Sequence, residues 1–331
     1  MKKKTVCLLL AVCAFLFNTM PSEAAISDLT QDERDMERMQ LYRDMDTITG
    51  VPWYWLAAID SYERGLNVAR NDRSPSEGFI SIYFSPRDWV GALNPDLEDK
   101  NALNIGIFDG SGLDGNADGE ADRLNDYDVL YTMTKKISTY GFDDENIRIA
   151  LWDHYQRDQA VRIITGHANI YAKYQTVSLH DNAFPVPLHY NYSYKSTWGA
   201  KRGWGGRRIH EGTDIFAGYS TPVRATTYGI VELKGWNEYG GWRIGIRDLD
   251  NVYHYYAHLH GFAEDIEEGT IVTPGTVIGS VGSSGYGKPG TQGKFPPHLH
   301  YGVYRDNGIS EWSFDPYPKL RMWEQKERQK S

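Results

Sequence analysis

Between Lys201 and His300 the sequence places three clusters of metal-ligating side chains: His210 with Asp214, His258 with His260, and His298 with His300. Catalytic zinc takes three protein ligands from His, Asp or Glu and keeps a fourth position for water. In extended chain, residues two or four apart point to one face. That phase lets His210 and Asp214 converge on one ion, and puts His298 beside His300 so that one binds metal while the other lies close by. Water on such an ion has its pKa lowered toward ~7, and a neighbouring imidazole can take its proton. Either pair alone would also fit a surface loop or a solvated strand face. Their co-occurrence among glycine-rich turns favours a single hydrolytic site.

The wording around these residues carries a resemblance. Gly205-Gly-Arg-Arg-Ile-His210-Glu-Gly-Thr-Asp214, Tyr255-Tyr-Ala-His258-Leu, Gly279-Ser-Val-Gly-Ser-Ser-Gly285 and Pro297-His-Leu-His300-Tyr-Gly302 resemble the lysostaphin-type (LytM-like) zinc peptidases, over roughly 184–316. The resemblance implies that His210, Asp214 and His300 are the zinc ligands. It implies that His298 is the general base and that His258 steadies the polarised carbonyl. It also implies a peptidoglycan substrate, cut at an amide bond of its stem peptides. Two-domain organisation and local wording are most similar to a sporulation-associated branch of that family, which cuts the L-Ala–D-Glu bond. His260 remains a rival ligand on strand geometry. His254 falls in phase with His258 and reads as a second-sphere or structural histidine.

Residues 1–25 read as a signal peptide: Lys2, Lys3 and Lys4, an apolar run from Val6 to Phe17, then Ser22-Glu-Ala24. Export places the mature chain in the wall, in the forespore or spore envelope, or outside the cell, with no stable membrane insertion. Both cysteines, Cys7 and Cys13, fall in that signal, so neither a disulfide nor a thiol nucleophile is expected in the mature chain. Its removal takes the formal charge from −9 to −11, which disfavours nucleic acid and anionic membrane as partners. With 40% hydrophobic and 13% aromatic residues, the chain has the material for packed cores, so global disorder is excluded.

The expected fold class is multidomain α+β, a mainly helical domain at 26–174 followed after a linker at 175–183 by an antiparallel β-sheet peptidase domain at 184–318. A charged tail, read as a peripheral helix or frayed end, spans 319–331. Thr30-Gln-Asp-Glu33 has the form of a capping box. Helices are expected after it, at 51–63, at 126–140 and at 145–174, the last on Ile147, Leu151, Tyr155, Ile163 and Ile170. Strands are expected at 221–234, 242–248, 252–259, 271–281 and 298–304. The Gly/Pro/Lys-rich segment 286–297 is expected to wall a groove. Lys201, Arg202, Arg207 and Arg208 read either as contacts for stem-peptide carboxylates or as ordinary surface charge.

Two further features of the first half could bind or react. Asp114, Asn116, Asp118, Glu120 and Asp122, with Gly119 at the sharp turn, occupy the ligand positions of an EF-hand-type loop at 114–126 and imply structural Ca2+; Asn125 stands where a bidentate glutamate belongs. An acidic solvated loop is the alternative. Glu63-Arg-Gly-Leu-Asn67, Gly78-Phe-Ile-Ser-Ile and Ile149-Ala-Leu-Trp-Asp-His-Tyr resemble lysozyme-like transglycosylases, which implies a vestigial glycan acid at Glu63. Arg64 and Trp152-Asp-His-Tyr155 depart from that pattern and favour a glycan-binding or structural domain. Two other function classes stay open: a lytic transglycosylase using Glu63, and a wall-binding scaffold without turnover.

Overall fold

The computed structural model describes residues 26, 28–73, 78–202 and 208–330. The signal read at 1–25 and Arg207 lie outside them.

Thr30 accepts the Glu33 N–H at 3.3 Å while the Glu33 carboxylate accepts the Thr30 N–H at 2.7 Å. This reciprocal cap starts helix α1 (Gln31–Thr49), which ends at Gly50 in the left-handed region. Helix α2 (Trp53–Ala69) starts directly after Pro52 and buries Trp55, Leu56, Ile59 and Leu66 on its apolar face. Short helices α3 (Pro86–Val90) and α4 (Ala102–Ile107) precede α5 (Asp126–Ser138). Asn125 caps α5, taking the N–H groups of Tyr127 and Asp128.

The helix expected over 145–174 is two helices, α6 (Asp144–Tyr155) and α7 (Asp158–Tyr174), parted at Gln156 with φ +48°. Neither Gly nor Pro marks that break. Its reason is tertiary: the kink releases Arg157 to clamp Asp306 in the second half with two bonds, at 2.7 and 2.8 Å. A charge-assisted fork of this kind outweighs the small propensity cost of interrupting a helix.

The second half is an antiparallel sheet. Its strands are β1 (Tyr192–Tyr194), β2 (Lys201–Arg202), β3 (Arg208–Ile209), β4 (Thr213–Ala217), β5 (Pro222–Arg224), β6 (Gly229–Asn237), β7 (Gly241–Asp248), β8 (Val252–Phe262), β9 (Ile271–Val272), β10 (Val277–Val281), β11 (His298–Asp306) and β12 (Glu311–Phe314). The main order is β1-β4-β11-β8-β7-β6-β9, with β10 between β5 and β8 and β12 on β11. The strand expected at 221–234 is thus two, β5 and β6. That at 271–281 is β9 and β10, parted by the turn at Thr273-Pro-Gly-Thr276, whose Thr276 N–H bonds the Thr273 carbonyl.

Alternation along the strands sends Ile215, Ile244, Ile246, Leu299, Tyr301 and Val303 into one core. Helix α8 (Tyr317–Lys330) closes that core with Leu320 and Trp323, and its Glu324 accepts the Tyr192 and Tyr194 hydroxyls at 2.6 Å each. The helices enclose a second core around Trp55, Leu56, Ile59, Leu130 and Ile164. Between the halves, Ser61 donates to the Leu249 carbonyl at 2.6 Å and His167 Nε2 to that of Asp248 at 2.8 Å. Gly65 lets α2 lie against the β7–β8 turn, since a Cβ there would stand 2.6 Å from that of Asn251.

Candidate metal centre

Strand register builds the first half of the site. In the β4–β11 ladder His300 sits directly opposite Asp214, a cross-strand position that brings side chains on one face into contact. His210 does not arrive by strand alternation as expected. It lies in the turn before β4, and that turn folds over the strand pair. Gly212 permits the close pass: a Cβ there would stand 2.6 Å from the Tyr301 carbonyl and 2.7 Å from the His300 ring.

The three ligand atoms face one another. His210 Nε2 lies 2.9 Å from His300 Nδ1 and 3.1 Å from Asp214 Oδ1, and His300 Nδ1 lies 3.0 Å from Asp214 Oδ1. Tetrahedral ligands at zinc–nitrogen distances of ~2.0–2.1 Å stand roughly 3.3 Å apart, so the set fits such an ion closely. His210 donates its Nδ1 proton to the Thr197 carbonyl at 3.0 Å, which turns the Nε2 lone pair to the centre. Burial works to raise the Asp214 carboxyl, but bonds with His210 and His300 override it and hold the group well below the usual carboxylate range. An acid kept ionised among facing imidazole nitrogens is a cation site. Among the described residues, these three are the one such group of His, Cys, Asp or Glu.

Two more imidazoles stand beside it. His298 directs Nδ1–H to the Pro296 carbonyl at 2.9 Å, leaving Nε2 as its basic nitrogen, 3.7 Å from Asp214 Oδ1. His258 directs Nδ1–H to the Ser284 carbonyl at 2.8 Å, and its ring centre lies 4.8 Å from that of His298. Burial, and after it the neighbouring His298 and His300, holds the His258 pKa well below the ordinary histidine value. His258 has φ +62°, in the left-handed region that a residue with a side chain rarely adopts. Register shifts flank it on β7 and β10. This irregularity breaks the alternation and turns His258 to the site side.

The same irregularity corrects the phase expected for His254. It faces the core, where Asp248 and the Tyr301 hydroxyl hold both its nitrogens at 2.8 and 2.7 Å. It is structural and satisfied. His260, the rival ligand, points away to Gln292 at 3.3 Å and is exposed.

The ligand cluster opens into a cleft of about 410 Å³ lined in part by Tyr239, Arg243, Tyr255, Tyr286 and Tyr304. Tyr286 stacks on His258, and Phe295 packs against both His258 and His298, so 286–297 does form a wall. Lys201 is exposed on β2. Sequence reading missed Arg243, because one arginine in a strand of alternating polarity carries no signal of facing a cleft.

The other two expected sites are arranged differently. In the 114–126 loop, Asp114 accepts the N–H groups of Ala117 and Gly119, and Asp118 that of Glu120. Asn116 bonds Asp118, and Lys100 pairs with Asp122 at 2.6 Å. The carboxylates close their own turns and do not form a metal group of the kind found at Asp214. Glu63 is buried on α2 and bound by Arg73. It lines a cleft of about 250 Å³ with Tyr83, His154 and Tyr155. Burial pushes its pKa up, with the Arg73 charge opposing.

Residues 208–315 match the model of peptidase family M23. The chain is 54% identical over 323 residues to the L-Ala--D-Glu endopeptidase of Bacillus subtilis, covering 98% of both chains. It is 34% identical over 115 residues to lysostaphin of Staphylococcus staphylolyticus, covering 34% of this chain and 22% of that one. The solved catalytic domain of lysostaphin from Staphylococcus simulans is 30% identical with a TM-score of 0.32, covering 40% of this chain and 92% of that one. With a relative of this identity along nearly its whole length, and with the ligand cluster inside the matched stretch, the chain belongs to peptidase family M23 and is a metallopeptidase.

Proposed function

We propose that the protein is an exported zinc endopeptidase that hydrolyses the L-Ala–D-Glu amide bond of peptidoglycan stem peptides, in maturation of the wall or spore cortex. The observation that carries the chemistry is the convergence of His210 Nε2, Asp214 Oδ1 and His300 Nδ1 to about 3 Å beside two imidazoles anchored on backbone carbonyls. The bond assignment rests on the Bacillus subtilis relative.

His210, Asp214 and His300 would hold the zinc, which when bound would supply a Lewis acid to polarise a carbonyl and to acidify water toward a pKa of ~7. His298 is the general base: its Nδ1 proton is committed to Pro296, so the water's proton goes to Nε2. His258 is neutral and its Nδ1 proton is committed to Ser284. It steadies the substrate carbonyl oxygen from Nε2 in its protonated form, which the developing oxyanion favours against the burial that keeps the resting imidazole neutral. The aromatic walls at Tyr286 and Phe295 exclude water from the rings they cover.

Residues 26–174 form a lysozyme-like module that serves either to bind glycan or as a structural domain, and 184–318 the peptidase domain, joined at 175–183, with 319–331 as the C-terminal tail. Calcium at Asp114, Asn116, Asp118, Glu120 and Asp122 would be structural; the loop spacing supports it, and a melting-temperature rise in Ca2+ absent in Mg2+ tests it. Residues 1–25 direct export.

The central test is mass spectrometry of purified peptidoglycan digested by residues 26–331 with and without a chelator. Chelator-sensitive new amino termini on glutamyl residues are expected. New termini on another residue would sink the bond assignment. Intact stems with anhydromuramyl ends would move the chemistry to Glu63, and no cleavage despite bound zinc would leave a wall-binding scaffold.

A further inference from the structure

We propose that Arg243 is the specificity-determining cation of the cleft, receiving the free carboxylate of the glutamyl residue on the amine side of the scissile bond. The inference rests on the bond assigned above and adds the recognition element that assignment lacks.

Arg243 lines the cleft that contains His210, His258 and His300. Its guanidinium lies over the Tyr255 ring at 5.9 Å, and that ring lies 6.0 Å from the His300 ring. One tyrosine therefore separates the cation from the ligand cluster. Among the described residues Arg243 makes no ion pair and no side-chain hydrogen bond, and its Nε is buried without a partner. Arg247, on the same strand and face, shows the opposite condition: Glu232 and Glu311 neutralise it, and its side chain is 1% exposed. A guanidinium carries five donors; that of Arg243 is half-buried with its Nε shut off from water and unmatched, which is costly, and its remaining donors are open to the cleft. The two acids lining the cleft are engaged elsewhere. Glu311 is held by Arg247, and Glu211 accepts the Tyr304 hydroxyl at 3.3 Å.

The substrate supplies what Arg243 lacks. A glutamyl residue has two carboxyl groups, and the peptide chain uses one of them, whichever it is. The other remains as a carboxylate one residue beyond the reacting carbonyl, a reach of ~7 Å. Arginine's planar fork matches a carboxylate with two parallel bonds, and an amide or an alkyl group would leave those donors unmet. Discrimination of this kind exceeds what an apolar pocket provides.

The test compares wild type and Arg243→Gln on two N-acetylated stem peptides, one with the free glutamyl carboxylate and one with it converted to carboxamide. Wild type is expected to lose ~100-fold in kcat/KM on going to the carboxamide, and Arg243→Gln to lose a similar factor on the carboxylate peptide. Combining both changes adds less than ~3-fold, because each removes the same interaction. Zinc content and melting temperature report the fold of the variant. Should Arg243→Gln melt early, Arg243→Lys keeps the charge without the fork, and a loss of ~10-fold or more on the carboxylate peptide only is expected. Wild type cutting both peptides equally, or a variant that keeps the full carboxylate preference, overturns the role of Arg243 while the bond assignment stands. Wild type cutting neither overturns the bond assignment and this inference with it.

Discussion

Asp214 and Glu63 are acids withdrawn from solvent to different degrees, one in each half of the chain. Asp214 is half-buried behind the histidines that line the first cleft, Glu63 is fully buried at the edge of the second, and they differ in what faces them. Asp214 meets the nitrogens of His210 and His300 at 3.1 and 3.0 Å, and those imidazoles are oriented from behind or from across the sheet. Glu63 meets the Arg73 guanidinium. The first arrangement keeps lone pairs aimed at a common point, so a divalent ion completes it. The second is already complete, since a fixed cation has neutralised the carboxylate. Burial alone therefore does not make a reactive acid. The partner decides whether the group is held ready or consumed.

Removing a ligand should give the largest effect. Asp214→Ala takes away the one anion of the cluster, and loss of zinc together with a fall of ~10⁴-fold or more in stem-peptide turnover is expected. Metal analysis beside the activity assay checks both; full turnover without zinc would break the comparison at its stronger end.

His298→Ala should come next. It leaves the three ligands in place, so zinc is expected to stay bound while kcat falls by ~10²–10³-fold, the range for a positioned general base. A variant that keeps wild-type kcat would transfer the base role to His258.

Arg73→Met should act on stability. Glu63 would be left buried and unpaired, at a cost of about 3 kcal/mol at neutral pH. Burial already raises the Glu63 pKa, and losing Arg73 raises it further. The folded state then holds a proton the unfolded chain has released, so stability falls as pH rises above the ordinary glutamate value. The deficit should accordingly shrink near pH 4. Denaturant melts at pH 4 and 7 measure it, and equal deficits at both would mean that Glu63 is charged throughout.

The two sites were unequally legible in sequence for physical reasons. The pairs His210/Asp214 and His298/His300 announce themselves because metal binding restricts residue type and spacing. The preference for His300 over His298 and His260 rests on the resemblance, and the ladder that sets His300 opposite Asp214 exists only in the folded sheet. The route by which His210 arrives was not legible, since it depends on a turn that passes Gly212 under the His300 ring. Nor was the turn of His258 to the site side, which needs a left-handed residue in mid-strand, a conformation that histidine does not advertise. The helices and strands mostly followed their periodicity. They failed where a distant partner won, as at Gln156, where the Arg157–Asp306 clamp breaks the helix. Arg243 was invisible for the same reason: its meaning lies in what surrounds it, and the contrast with Arg247 exists only in the folded sheet.

Glu63→Gln should have the smallest effect, and it bears most directly on the comparison. The substitution keeps the shape and removes the charge. Arg73 loses its partner, but its side chain is 13% exposed and overlies the Tyr83 ring, so it retains some contact with water and with a π face. A stability change of about 1 kcal/mol is therefore expected. Stem-peptide turnover should stay within about twofold of wild type, because no contact between Glu63 and the zinc ligands is needed for the chemistry at Asp214. Glycan chains should remain intact with either enzyme. A Glu63→Gln enzyme that no longer releases anhydromuramyl ends seen with wild type would reverse the reading. Glu63 would then be held by Arg73 only until substrate displaces it, and the helical half would be a second catalytic domain.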